Sequence, residues 1–160
     1  MAKYLQLVVF GVGKELYGVG IEAVHEIVRV PDVTQVPDAP ECFEGVINLR
    51  GKIIPVIDLR KRLRLAQVER TKSARVLITE NNGRIVGLVV DSVAEVLKLM
   101  PEAVEEPPQM ISSIGVEYIT GVAKVKDRLI ILLKLDKVLN VEDMNKIGSA
   151  AEKTVESHAA

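Results

Sequence analysis

At 160 residues and 48% hydrophobic, the chain can bury a core as one compact domain or as two small subdomains that share it. Its single cysteine, Cys42, rules out an intrachain disulfide and fits a reducing compartment. A formal net charge of −1 gives no global pull towards nucleic acid or anionic membrane, and 3% aromatics with no tryptophan leaves few faces for stacking single-stranded bases.

No run approaches the roughly 18 apolar residues of a membrane span. The opening MAKYLQLVVF is too short and too alternating for a signal peptide, so a cytoplasmic protein is expected. Tyr4–Val12 alternates as a strand, Gly13-Lys14-Glu15 turns, and Leu16–Val19 forms its partner. The segment GVGKELYG is not a phosphate loop, because Glu15 stands where a Ser or Thr must follow the lysine. Over Ile21–Val28, apolar residues at 21, 24, 27 and 28 predict a short amphipathic helix, with Glu22, His25 and Glu26 between them. Pro31 and Asp32 end it, Val33–Val36 is a brief extended piece, and Pro37 and Pro40 mark loop.

The stretch GVINLRGKIIPVIDLRKRLR, Gly45 to Arg64, reads as two Val/Ile-rich strands and a short basic helix. Gly51 takes a positive φ at no steric cost, so the chain reverses at Arg50-Gly51 and Arg50 stands at the tip of a rigid hairpin. Asp58 caps the following turn. Pro55, which has no N–H to donate, predicts an edge strand or a bulge. After the polar connector Ala66–Ser73, Arg75–Glu80 and Arg84–Val90 flank Asn81-Asn82-Gly83, a strong hairpin signal. Val93, Val96, Leu97 and Met100 permit a helical period, but Val93–Met100 is read as strand for its valines, and prolines 101, 107 and 108 bracket an acidic loop. Tyr118–Val125 and Arg128–Leu135 form a third hairpin across Lys126-Asp127. A short helix from Asp136 to Asn140 follows, then a helix over Glu142–Ala151 and a frayed tail, 152–160.

Hairpins at regular spacing, with no repeated strand–helix–strand unit, predict a mainly β fold, barrels or a sandwich, and the two hairpin sets either side of Ala66–Ser73 suggest two small packed barrels. The connector suggests boundaries of about 13–70 and 72–140, and the N-terminal strand could pair with either barrel.

Catalytic equipment is sparse. His25 and His158 lack ligands at metal spacing, Cys42 has no nearby histidine in sequence, no Gly-x-Ser-x-Gly elbow occurs, and Glu105-Glu106 would diverge in an extended loop. No catalytic residue, cofactor or metal site is expected, and the weight falls on a binding module. Charge is uneven: Arg50 to Arg75 holds nine basic residues against two acidic, and Asp91 to Glu117 six acidic against Lys98. Such poles suit complementary protein contacts. A small β-barrel nucleic-acid binder using the Arg60–Arg75 run is the alternative, although aromatic interleaving and a basic net charge are missing.

Four stretches carry a resemblance over nearly the whole chain: FGVGKELYGVGIEAVHEIV, EGVINLRGKIIPVIDLRKRL, RIVGLVVDSVAEVL and YITGVAKVKDRLIILLKLDKVL. Together they are similar to the CheW family of chemotaxis coupling proteins. The resemblance implies two five-stranded β-barrels packed on a hydrophobic core, with short helices and a C-terminal helix, over residues 1–151. It also implies a non-catalytic adaptor between the cytoplasmic tip of chemoreceptors and the regulatory domain of the histidine kinase CheA. Nucleic acid is then no partner, and the protein meets the membrane only through receptors. By position, the receptor-facing groove would involve Val24, Glu26, Gly45, Arg50 and Val96; the resemblance fixes no kinase-contact residues. The kinase's ATP-binding elements and a receiver domain are not found in the sequence, so a stand-alone adaptor is expected.

Overall fold

The computed structural model describes residues 4–37, 42–63, 65–66, 69–81, 83–106 and 118–138. The helix expected over Glu142–Ala151, the tail and the Pro107-Pro108 loop lie outside these residues. The strands are β1 (Leu5–Val12), β2 (Glu15–Gly20), β3 (Val24–Arg29), β4 (Phe43–Leu49), β5 (Lys52–Asp58), β6 (Arg75–Asn81), β7 (Arg84–Val90), β8 (Ser92–Leu99), β9 (Val104–Glu105), β10 (Ile119–Val125) and β11 (Arg128–Leu133). Two single-turn helices, α1 (Leu59–Arg62) and α2 (Leu135–Val138), follow β5 and β11. None of the described helices is long and apolar enough to cross a membrane.

The strands form two sheets, ordered β8-β1-β2-β11-β10-β9 and β3-β6-β7-β5-β4. Each sheet bends back on itself through one strand. Past β8 the chain makes a turn at Pro101–Ala103 and pairs again, as β9, with the opposite edge strand β10. Past β3, Thr34 bridges Val46 of β4, with both N–O distances 2.9 Å. Each sheet is thereby a small five-stranded barrel closed by one bent strand, which removes exposed edges.

The barrels do not divide the chain at the 66–73 connector. The second sheet takes β3 to β7, whereas the first takes β1 and β2 from the start and β8 to β11 from the end. The chain is two similar halves, each running hairpin, bent strand, hairpin, helical turn, and each giving its first hairpin to the other half's barrel. Inside otherwise antiparallel sheets the exchange leaves two parallel contacts, β2 with β11 and β5 with β7. Nothing local in sequence announces such a swap, so the boundaries of about 13–70 and 72–140 do not follow the barrels.

Two further expectations are corrected. Ile21–Val28 is a 3-10 turn, Ile21–Ala23, followed by strand β3. Val24, Glu26 and Val28 are half-buried while His25, Ile27 and Arg29 are exposed, a period of two. The β-branched residues and the β6 edge outweigh the weak helical spacing. Pro55 lies in an interior strand without a bulge of its own. It faces Val46, whose N–H and carbonyl are bonded to Thr34, and the ladder to β7 starts one residue later at Val56. A missing donor there breaks no ladder bond.

Val8, Phe10, Tyr17, Phe43, Ile57, Leu77, Leu88, Ile119, Ile131 and their neighbours make one buried layer between the barrels, and smaller clusters fill each barrel. Within the layer Tyr17 stacks on Phe10 at 6.1 Å between ring centroids. Burial, with Glu15 nearby, pushes its phenol pKa up to about 12, and its hydroxyl has no hydrogen-bond partner among the described residues. Tyr17→Phe is therefore expected to raise unfolding free energy by about 1 kcal/mol, since it removes a desolvated, unpaired hydroxyl and keeps the ring. Chemical denaturation measures this, and a clear loss of stability would show that the hydroxyl is paired.

One polar cluster fastens the barrels where the chain crosses from β7 to β8. Asp91 accepts two bonds from Arg60 of α1, at 3.0 and 2.6 Å, and one from the Gly13 N–H of the β1–β2 turn at 2.8 Å. Burial opposes the Asp91 charge, but these donors outweigh it and hold its carboxyl below the usual aspartate range. A depressed folded-state pKa stabilises above the unfolded pKa, and that stabilisation is lost as pH falls through the folded value. Asp91→Asn should cost about 1–3 kcal/mol at neutral pH. The gap from wild type should shrink on acidification, measured as denaturation midpoints across pH. A pH-independent gap would remove the charge from the explanation.

Candidate functional site

The tip of the β4–β5 hairpin is built by its own sequence. Leu49 pairs with Lys52, so Arg50 and Gly51 alone make the turn. Both have positive φ, 50° and 84°, which suits the twist of a two-residue hairpin loop. The Asn48 side chain accepts from the Gly51 N–H at 2.9 Å and locks the reversal. For an arginine the left-handed conformation costs roughly 1 kcal/mol. The strain sits on a side chain that is 70% exposed.

Arg50 reaches across the barrel mouth to Glu26 of β3. One guanidinium nitrogen lies 3.0 Å from Glu26 Oε1 and the other bonds Oε2, a two-pronged pair. The Arg50 hydrogen bond holds the Glu26 carboxyl below the usual carboxylate range, and Glu26 in turn raises the arginine. An exposed pair of this kind adds little to stability, but it pre-orders the fork and leaves other N–H donors pointing outward. Beside it, His25 and Glu80 pair at 2.5 Å on the exposed face of β3 and β6.

The other half carries a counterpart. Glu95 of β8 binds Arg128 of the β10–β11 hairpin, and Lys126 at that turn has φ 56°. Gly45 and Gly121 also correspond, each at a bulge where the bent strand crosses.

Apolar surface lies along the margins of the inter-barrel layer. Ile27 of β3 stands opposite buried Leu77, and Val96 of β8 opposite buried Val8, so each continues the layer's apolar face outward. They are 39% and 55% exposed, one on each barrel, at matching places in the repeat.

The predicted site residues fare differently. Glu26 and Arg50 touch. Val96 is exposed on the other barrel. Val24 is half-buried against the layer. Gly45 is buried, and the backbone that approaches it closely is the chain's own Thr34 rather than open surface. Ile27, expected on the apolar face of a short helix, is exposed on strand β3; a period-two reading of Val24–Arg29 is the signal that finds it. The basic run is largely engaged. Arg60 binds Asp91, while Arg70 binds Glu44 at 3.0 Å and Asp58 at 3.4 Å. Among the described residues no group of three or more His, Cys, Asp or Glu could hold a metal ion. Cys42 is buried.

A family model described as the CheW-like domain matches residues 6–143. The chain is 37% identical over 149 residues to a chemotaxis protein CheW of Treponema pallidum, with 90% of this chain and 87% of that protein covered. It is 34% identical over 147 residues to the CheW of Klebsiella aerogenes, covering 92% and 89%. Among solved structures, the scaffolding protein TtCheW from Thermoanaerobacter tengcongensis superposes with a TM-score of 0.80 at 40% identity, covering 89% of this chain and 92% of that one.

Proposed function

The chain belongs to the CheW-like domain family and is a chemotaxis adaptor, and we propose that it couples chemoreceptors to the histidine kinase CheA and supports control of the kinase's autophosphorylation. It does so without catalysis, in the cytoplasm, and meets the membrane only through receptors. The domain runs over residues 1–151.

The observation that carries the receptor reading is the pairing of apolar margins with a pre-ordered cation. A receptor tip is a helical hairpin, and a helix docks by placing apolar side chains in a groove with polar contacts at its rim. Ile27 and Val96 supply apolar flanks from both barrels, and Arg50, steadied by Glu26, supplies the rim contact to receptor carboxylates or helix-end carbonyls. Val24 and Gly45 serve by shape: Val24 backs β3, and Gly45 lets the barrel close beneath the hairpin.

The test is reconstitution of receptor membranes and CheA with and without this protein. Kinase autophosphorylation and its response to receptor ligand are expected to depend on the added protein. Unchanged kinase activity and unchanged ligand response would overturn the reading for those partners.

A further inference from the structure

Arg29 of β3 and Arg75 of β6 stand directly opposite one another in the antiparallel ladder. Like charges at facing positions repel. The surroundings add positive charge instead of relieving it. Arg29 and Arg75 line a cleft of about 460 Å³ together with Arg70, Thr71 and Lys72 of the connector. Among the described residues, no carboxylate lines this cleft. The cations are partly fixed. Arg75 donates to the carbonyls of Lys72 and Ala74 at 2.8 and 2.7 Å, which ties its guanidinium to the connector. Arg70 is anchored on its other side by Glu44 and Asp58. The Thr71 hydroxyl accepts from the Ser73 N–H at 3.2 Å and keeps its own hydrogen to donate.

Arg29, Lys72 and Arg75 share one concavity with Arg70, whose carboxylate partners Glu44 and Asp58 lie outside its lining, and a multivalent oxyanion relieves the repulsion among them. Guanidinium forks match the paired oxygens of a phosphoryl group, and an ammonium adds a point charge. We propose that this cleft is a binding site for a phosphoryl oxyanion, either free or carried on a protein side chain. It lies apart from the Arg50 tip and does not depend on the adaptor reading.

Titration calorimetry of the full chain at low ionic strength tests it, with inorganic pyrophosphate in one arm and a phosphoserine peptide in the other. Saturable one-site binding that weakens as salt rises is expected in at least one arm. The tighter arm identifies the source, free anion or protein-borne phosphate. Arg29→Gln should weaken binding roughly tenfold or more, since it deletes a charge-assisted donor. In anion-free buffer it should melt no lower than wild type, because it also relieves the facing arginines. Lys72→Gln should weaken binding in the same sense, and Lys124→Gln on β10 should leave it unchanged. The proposal is overturned by absence of saturable binding in both arms, by Arg29→Gln and Lys72→Gln binding as wild type does, or by random duplex DNA binding in preference to pyrophosphate.

Discussion

Gly45→Ala is expected to lower unfolding free energy by more than about 3 kcal/mol, a large share of the stability of a domain this size. Two effects add. The φ of Gly45 is 150°, which side-chain-bearing residues rarely adopt. A methyl there would also overlap the carbonyl oxygen of Thr34 and come within 2.7 Å of Val33 Cγ1. The overlapped atom is backbone, and it belongs to the bridge that closes the second barrel, so relief means opening that barrel. Gly51→Ala is the matched comparison. Its φ is 84°, but a methyl would meet nothing within 4 Å, so only the conformational cost of roughly 1 kcal/mol remains. Urea denaturation of both variants decides it. Equal losses would mean that the bulge relaxes and that the bridge does not demand glycine.

Arg50→Asp is expected to weaken receptor binding by roughly tenfold to a hundredfold while leaving the melting transition in place. The Arg50 side chain is exposed and its partner Glu26 is only half-buried, so folding has little to lose. Binding loses a pre-ordered donor and gains a carboxylate beside Glu26. Glu26→Gln should weaken binding less, because it frees Arg50 instead of removing it. Pull-down with receptor cytoplasmic fragments, alongside melting curves, gives both readings. Unaltered binding would take Arg50 out of the receptor surface, and loss of a cooperative melt would make it structural.

Hairpins were the most legible part of the sequence. Alternation marked β1, Val and Ile content marked β4 and β5, and Asn-Gly and Arg-Gly marked two of the turns, because turn chemistry acts over a few residues. The cation at the hairpin tip was legible for the same reason. Illegible features were those decided across the chain. Val24–Arg29 has both a helical and an alternating spacing, and only its pairing with β6, some fifty residues on, selects strand. The role of Gly45 depends on Thr34 crossing above it, and Glu26 finds Arg50 only once β3 and β4 share a barrel. The repeat itself was present in the sequence, in the likeness of EGVINLRGKIIPVIDLRKRL to ITGVAKVKDRLIILLKLDKVL, with Gly45 matched to Gly121. Comparing the two stretches with each other exposes it.

The exchange of hairpins between halves orders events during synthesis. The second barrel uses residues from Val24 to Val90, all consecutive, and is complete in sequence while the first still lacks most of its strands. The β1–β2 hairpin leaves the ribosome first yet waits for β8 and β11, its neighbours on either side. Nascent chains stopped shortly after Val90 should therefore hold a protease-resistant second barrel and a protease-sensitive N-terminal hairpin. Resistance of that hairpin should arrive only once β11 has emerged. Long-range closure is slow, so this interval is when the chain is most exposed to aggregation.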